Sequence, residues 1–465
     1  MRILGAAMLA ASAVTVVLVV GDANRAARAA SPVSGSGASN AAPSATPLWS
    51  PRRIPEVVTA YAARQRFAGV IAGFAAPGRC VAVDGPSGPL ASVAATTPLA
   101  PASTEKLLVG AAALHVLGPG HVFTTRVETV TPLSDGVIRG NVYLVGGGDP
   151  VLATPTHRAR LAENPITAGA PTTSLDGLAA ALVTAGVRRI DGAIVADDSR
   201  FSTLRSLPSL KPSERTEVGP LGALTVDGGI APTGVAADDP ALLAAGSLAA
   251  LLANHGVDVT APARRGIAPA TARTIASVRS PRLDVIVANM LTVSDNYTAE
   301  LLVRSVGVAV DGAGSTAAGL RAVVATLARM GVPTAAVNLL DGSGLSPGDR
   351  VTCASLLAAV ELGDHSEGHA LRVGLPIAGR TGTLARRFLG DPLAGRLRAK
   401  TGHIDGVVGL AGVVPTTAGT LRFAFLANGD FTVSGGEDLQ DRIAHLVASY
   451  PVVPEPRSLI PAPEA

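Results

Sequence analysis

The chain carries its positive charge almost entirely as arginine, and this constrains it more than any other feature. Of 38 basic residues only Lys106, Lys211 and Lys400 are lysine. Arginine keeps its proton in any protein environment, whereas a buried lysine can give its proton up. A lysine in such a sequence marks a position where arginine will not serve. Lys106 closes the run Ser103-Thr104-Glu105-Lys106, and Lys400 opens Lys400-Thr401-Gly402-His403, with Ser294-Asp295-Asn296 between them. Ser103 precedes Ser294 by 191 residues. A fold that makes one site of these three motifs must gather segments from distant parts of the chain.

Each motif has a chemistry and a plainer alternative. Ser103 begins a predicted helix that runs to Leu117, with Leu107, Ala111 and Leu114 as its apolar stripe and Gly118-Pro119-Gly120 as its stop. Residues three apart share a helix face, so Ser103 and Lys106 can touch. The helix N-terminus favours negative charge on Ser103 and a neutral amine on Lys106. A serine becomes a nucleophile beside a base, and a desolvated lysine can be that base. Ser294 suits a proton relay between Lys106 and a leaving amine, and Asn296 suits a substrate amide. The alternative is a helix N-cap, since a helical pattern follows at once. Lys400 and Thr401 suit a substrate carboxylate. Gly402 clears space for a close approach to the backbone, and the His403 N–H with that of Ser103 suits an oxyanion hole. The plainer reading is a strand end with a surface lysine.

Taken together and in this order, the three motifs match the S-x-x-K, S-D-N and K-T-G elements of serine β-lactamases and penicillin-binding proteins. The first interval is too long for a compact β-lactamase. The chain instead resembles the class C low-molecular-mass penicillin-binding proteins, the D-alanyl-D-alanine carboxypeptidase/endopeptidase group. Further stretches carry the likeness: Pro101 to Leu108, Gly146 to Pro150, Asp341 to Ser346, Leu375 to Gly379 with Gly382 to Leu384, and Arg398 to Gly402. The resemblance spans about residues 57 to 450. It implies an α/β (α+β) fold: a penicillin-binding-protein/serine β-lactamase-like transpeptidase domain, an antiparallel sheet with packed helices, split by an inserted α+β region. It also implies that Ser103 attacks the D-Ala-D-Ala carbonyl of a peptidoglycan stem peptide and releases D-alanine, that water resolves the acyl-enzyme, and that β-lactam antibiotics acylate the same serine. No cofactor and no metal are expected. A β-lactamase or esterase on the same site, and a catalytically weak cell-wall scaffold, are the competing readings. One position departs from the family pattern: His403 stands where Thr or Ser is usual, which keeps the backbone donor and loses a hydroxyl contact.

The rest of the chain organises around this. At 465 residues it is long enough for two or three domains. Its net charge of +3 is not gathered into a basic cluster, so no nucleic-acid partner is expected. Arg2, the apolar run from Ile3 to Val20 and the small-x-small pattern Ala27-Arg28-Ala29 make residues 1–30 a signal peptide or a retained membrane anchor. Either places the protein outside the cytoplasm, in the cell envelope, touching membrane only through that segment if it is uncleaved. Residues 31–56 read as a disordered linker, 57–123 and 276–450 as the peptidase domain, 124–275 as the insertion and 451–465 as a Pro-rich tail. Strands are expected over Gly69 to Ala76, Arg79 to Val83, Val137 to Val145, Arg189 to Ala196 and, as a C-terminal antiparallel set, Arg396 to Lys400, Val407 to Val414 and Thr420 to Ala427. Cys80 and Cys353 either bridge or sit as two small buried hydrophobes, and both readings stay open.

Three other signals are set aside. Gly344-Leu345-Ser346-Pro347-Gly348 matches G-x-S-x-G, but Pro347 stands where the helix of a nucleophile elbow should begin. His365 and His369 flank Glu367, yet Gly363 and Gly368 argue against the helix a metal pair would need. Gly146-Gly147-Gly148 lacks the lysine and spacing of a phosphate loop and reads as a turn.

Overall fold

The computed structural model describes residues 55–210 and 215–452. The expected export segment, most of the linker and most of the Pro-rich tail lie outside the described residues. The chain divides into residues 1–57 and one compact unit, residues 58–465; only the second is treated below.

The C-terminal runs form the expected antiparallel strands. Arg398–Ile404, Val407–Thr416 and Gly419–Asn428 continue into Arg79–Gly85 and Gly88–Val93 as one five-stranded sheet in that order. Val407 to Val414 is apolar throughout because helices cover both faces of the sheet. Val408, Leu410, Val414, Phe423 and Phe425 face Phe67 and Ile71 of the helix Pro55–Ala72 and Leu439, Ile443 and Val447 of the helix Val433–Ala448. Cys80, Ala82, Ala411, Val413, Ala424 and Leu426 face the opposite layer, built on helices Lys106–Leu117, Leu283–Val293, Asn296–Asp311, Thr316–Arg329 and Cys353–Leu362. Lys106–Leu117 lies at the centre of that layer. It is buried from Lys106 to Leu114, as a helix that is apolar all round must be.

The strand expected over Gly69 to Ala76 does not form; its first four residues end the helix Pro55–Ala72. Ala63, Phe67 and Ile71 are buried at four-residue spacing, and this one face decides the segment over the β-branched run Val70-Ile71. The runs expected over Val137 to Val145 and Arg189 to Ala196 each break into two short strands, Val137–Ile138 and Val142–Val145, and Arg189–Ile190 and Ile194–Asp197. The two halves join different sheets.

A second five-stranded sheet runs Arg264–Arg265, Ile194–Asp197, Val142–Val145, Thr124–Thr129, Arg273–Arg279, with mixed pairing. Its core is shared with the helices Leu175–Thr184 and Pro240–Asn254. Arg304, fully buried on Asn296–Asp311, reaches across to this part of the chain. It donates to the carbonyl oxygen of Leu204 at 2.7 Å and to Thr316 Oγ1 at 3.3 Å. Cys80 and Cys353 are disulfide-bonded, with Cα atoms 5.9 Å apart, which ties a sheet strand to the first residue of Cys353–Leu362.

Candidate active site

The chain enters the site through Ala102, held at φ +46, a left-handed conformation that a residue with a side chain adopts only under constraint. The neighbours supply it. A Cβ on Gly344, itself at φ +79, would lie 2.1 Å from the Ala102 carbonyl oxygen. A Cβ on Gly402 would lie 2.7 Å from that of Pro101. Ala102–Glu105 then makes one tight 3-10 turn that feeds directly into the helix Lys106–Leu117. The turn brings Lys106 Nζ to 2.7 Å from Ser103 Oγ. Ser103 is half-buried and Lys106 is fully buried.

Lys106 Nζ has two further partners, Asn296 Oδ1 at 2.7 Å and the carbonyl oxygen of Ser343 at 2.6 Å. Ser103 Oγ also lies 3.4 Å from the Ser343 carbonyl. Asn296 Nδ2 donates to the Glu217 carbonyl at 3.0 Å, which fixes the amide with its oxygen toward Lys106. Both ends of Asn296 are therefore engaged within the protein, where the sequence suggested a substrate amide. In Ser294-Asp295-Asn296 the capping reading holds, and Ser294 and Asn296 reach the two lysines of the other motifs. Asp295 N-caps Asn296–Asp311 by accepting from the Thr298 N–H, while Ser294, at φ +64, ends the preceding helix. The positive φ turns Ser294 toward the third motif: Lys400 Nζ donates to its Oγ at 2.9 Å and to the Thr401 carbonyl at 2.6 Å.

Lys400 is fully buried, not a surface lysine. It sits on Arg398–Ile404, the edge strand of the first sheet. Thr401 Oγ1 is 2.7 Å from Thr383 Oγ1. Gly402 serves a nearer purpose than substrate clearance, since the backbone of Pro101 to Thr104 lies against it. The Gly402 carbonyl accepts from Gln440 Nε2, which also donates to Gly409. The His403 side chain is exposed.

Burial governs the electrostatics. Loss of water lowers Lys106 to about 8, against the opposing pull of Asp341, Asp295, Glu105 and Glu300. Lys400 falls well below the usual lysine range, through burial first and the nearby Lys106 second. Behind Lys106, carboxyl oxygens of Glu105, Asp341 and Asp349 lie within 4.8 Å of one another, all buried. Burial and mutual repulsion push Asp349 and Glu300 up to about 8 and raise Glu105 well above the usual carboxylate range. The arrangement is a hydroxyl, an amine able to lose its proton near neutrality, and a second buried amine that holds its proton less firmly than a lysine in water.

Of the motifs set aside in sequence, Gly344 packs against the nucleophile turn, but Ser346 is not among the partners of Lys106. Ser346 is buried, its Oγ accepting from the Gly348 N–H. Glu367 contacts His115 Nδ1 at 3.2 Å. The sequence reading gave no role to Ser343 and Thr383, though both lie in stretches that carry the resemblance, and passed over Glu217 and Gln440. Ser343 and Glu217 act through main-chain carbonyls, which no residue type announces. Gln440 stands in an ordinary amphipathic helix.

The chain matches the model of the D-Ala-D-Ala carboxypeptidase 3 (S13) family over residues 75–237 and 213–450. It is 30% identical to the D-alanyl-D-alanine carboxypeptidase of Actinomadura sp. (strain R39), over 76% of this chain and 77% of that one. It is 35% identical to carboxypeptidase Rv3627c of Mycobacterium tuberculosis, over 71% of each. Among solved structures it is similar to penicillin binding protein 4 (dacB) of Haemophilus influenzae, with TM-score 0.67 and 21% identity, over 82% of this chain and 99% of that one. The same protein complexed with a β-lactam gives TM-score 0.64 at 20% identity, over 83% and 99%. The chain belongs to the D-Ala-D-Ala carboxypeptidase 3 (S13) family.

Proposed function

From its membership of this family, we propose that the protein is a serine-type D-alanyl-D-alanine carboxypeptidase of peptidoglycan stem peptides, with endopeptidase cleavage of the same bond type within its reach. The observation that carries the residue assignment is the 2.7 Å contact between Ser103 Oγ and a Lys106 amine lowered to about 8. Neutral Lys106 takes the Ser103 proton as Oγ bonds to the scissile carbonyl carbon. The tetrahedral intermediate expels the terminal D-alanine nitrogen, which takes the proton from Lys106; Ser294, whose Oγ accepts from Lys400 Nζ, is the proposed relay. Water, deprotonated in turn, then hydrolyses the ester and frees Ser103. Lys400 and Thr401 take the substrate's terminal carboxylate, Gly402 lets the strand reach the nucleophile turn, and the N–H groups of Ser103 and His403 receive the oxyanion.

The same site is open to β-lactams as acylating ligands. The buried disulfide supports an oxidising, extracytoplasmic setting, and among the described residues no helix is long and apolar enough to cross a membrane. We assign residues 57–123 and 276–450 to the peptidase domain and 124–275 to the insertion. The pairing of Arg273–Arg279 with Thr124–Thr129 supports placing the insertion's exit beside its entry.

Intact-protein mass spectrometry with benzylpenicillin tests the assignment. A long-lived adduct on the peptide bearing Ser103, absent from Ser103→Ala, is the expected result. Rapid turnover of the drug would make the protein a β-lactamase, and an adduct on Ser346 would overturn the choice of nucleophile.

A further inference from the structure

A neutral amine has two N–H donors and one lone pair, and it acts as a base only along that lone pair. Lys106 Nζ has three oxygen partners. Two of them, Asn296 Oδ1 and the Ser343 carbonyl, can only accept. When they take both N–H groups, the lone pair is left facing Ser103. The position of the Ser343 carbonyl therefore decides where the base points.

That carbonyl belongs to a turn whose N–H groups are held by two buried carboxyls. Asp341 Oδ1 accepts from the N–H groups of Ser343 at 3.1 Å and Gly344 at 2.7 Å, and from Ser343 Oγ at 3.2 Å. Asp341 Oδ2 accepts from the Ser346 N–H at 2.8 Å. Glu300 Oε1, on the helix that Asn296 begins, accepts from the Gly342 N–H at 2.8 Å. Asp341 and Glu300 are both fully buried. We propose that Asp341 and Glu300 are positioning residues for acylation: they hold the turn 341–344 so that the Ser343 carbonyl takes one N–H of Lys106 and aims its lone pair at Ser103.

The proposal rests on Lys106 being the base, and the test separates the two. Groups facing Lys106 electrostatically are Asp341, Asp295, Glu105 and Glu300 on the acidic side and Lys400 on the basic side. Only Asp341 both pins the turn and acts as the strongest of the acidic influences that raise Lys106. In Asp341→Ala, which removes both acceptor oxygens that hold the turn, the acylation rate by a fluorescent penicillin should fall about a hundredfold, the scale of a displaced reacting group. The apparent affinity for the drug should change little. The acid limb of the rate–pH profile should move to lower pH, because a negative charge beside Lys106 is gone. Glu300→Ala, which frees the Gly342 N–H, should slow acylation about tenfold and decides the matter if Asp341→Ala does not fold. A folded Asp341→Ala with wild-type rate and an unmoved pH limb would overturn the proposal, as would an unimpaired Glu300→Ala. Lys106→Ala run alongside identifies the other failure: if it still acylates at the wild-type rate, the base assignment itself is wrong.

Discussion

At the scale of single residues, two lysines are made useful by the loss of water. An ammonium in water holds its proton far above neutral pH. Moving Lys106 into a site with no exposure brings it to about 8, and four nearby carboxyls keep it from falling further. Two of the four, Glu105 and Glu300, are themselves raised by burial, as is Asp349 behind them, which limits the negative charge around the amine. A pH prediction follows with a definite sign. The lysine value is lowered, so the base form is scarce below about 8 and dominant above it. Acylation by a β-lactam should rise about tenfold per pH unit on the acid side and level off near that value. A profile flat from mildly acid to alkaline pH would contradict Lys106 as the base. Lys106→Arg keeps the charge and loses the base, and should cost about a thousandfold.

At the scale of elements, the site is a meeting of three ends: a 3-10 turn, the joint between two helices and the exposed side of an edge strand. The closeness of turn and strand depends on glycine. In Gly402→Ala the new Cβ would sit 2.7 Å from the Pro101 carbonyl oxygen and 3.1 Å from the Thr104 nitrogen, both main-chain atoms that cannot swing aside. The strand carrying Lys400 must then back away from the turn carrying Ser103. We expect a stability loss of about 1–3 kcal/mol from overpacking, together with a fall in acylation rate of about a hundredfold. Thermal melting and penicillin labelling measure the two. An alanine variant that acylates normally would mean that turn and strand are not coupled in this way.

For the molecule as a whole, the first sheet joins chain ends that are far apart in sequence. Arg79–Gly85 pairs with Gly419–Asn428, so the sheet closes only after nearly the whole compact unit has been made. The disulfide reinforces that closure, joining cysteines 273 residues apart. Long loops gain most from such a link, because cross-linking removes most entropy from the unfolded chain. Replacing Cys80 and Cys353 with alanine together should destabilise the protein by about 2–4 kcal/mol while leaving the geometry around Ser103 in place. Chemical denaturation with and without the pair, followed by penicillin labelling of the folded variant, measures both halves. An unchanged midpoint would show that the bridge contributes nothing to stability.

The sequence by itself determined the class of fold and pointed to the proposed chemistry. Lysines kept in an arginine-rich chain, and three motifs in a fixed order, named Ser103, Lys106, Ser294, Asn296 and Lys400, because side-chain chemistry is written in residue type. The apolar runs of the final third foretold strands because their pattern depends only on neighbours along the chain. Only the tertiary structure decided the rest. Gly69 to Ala72 became helix because packing against the sheet outweighed a local β preference. The cysteines met because two distant segments were brought together. The Ser343 carbonyl acquired its place beside Lys106 because main-chain groups are identical in every residue, and only the fold gives one of them a role.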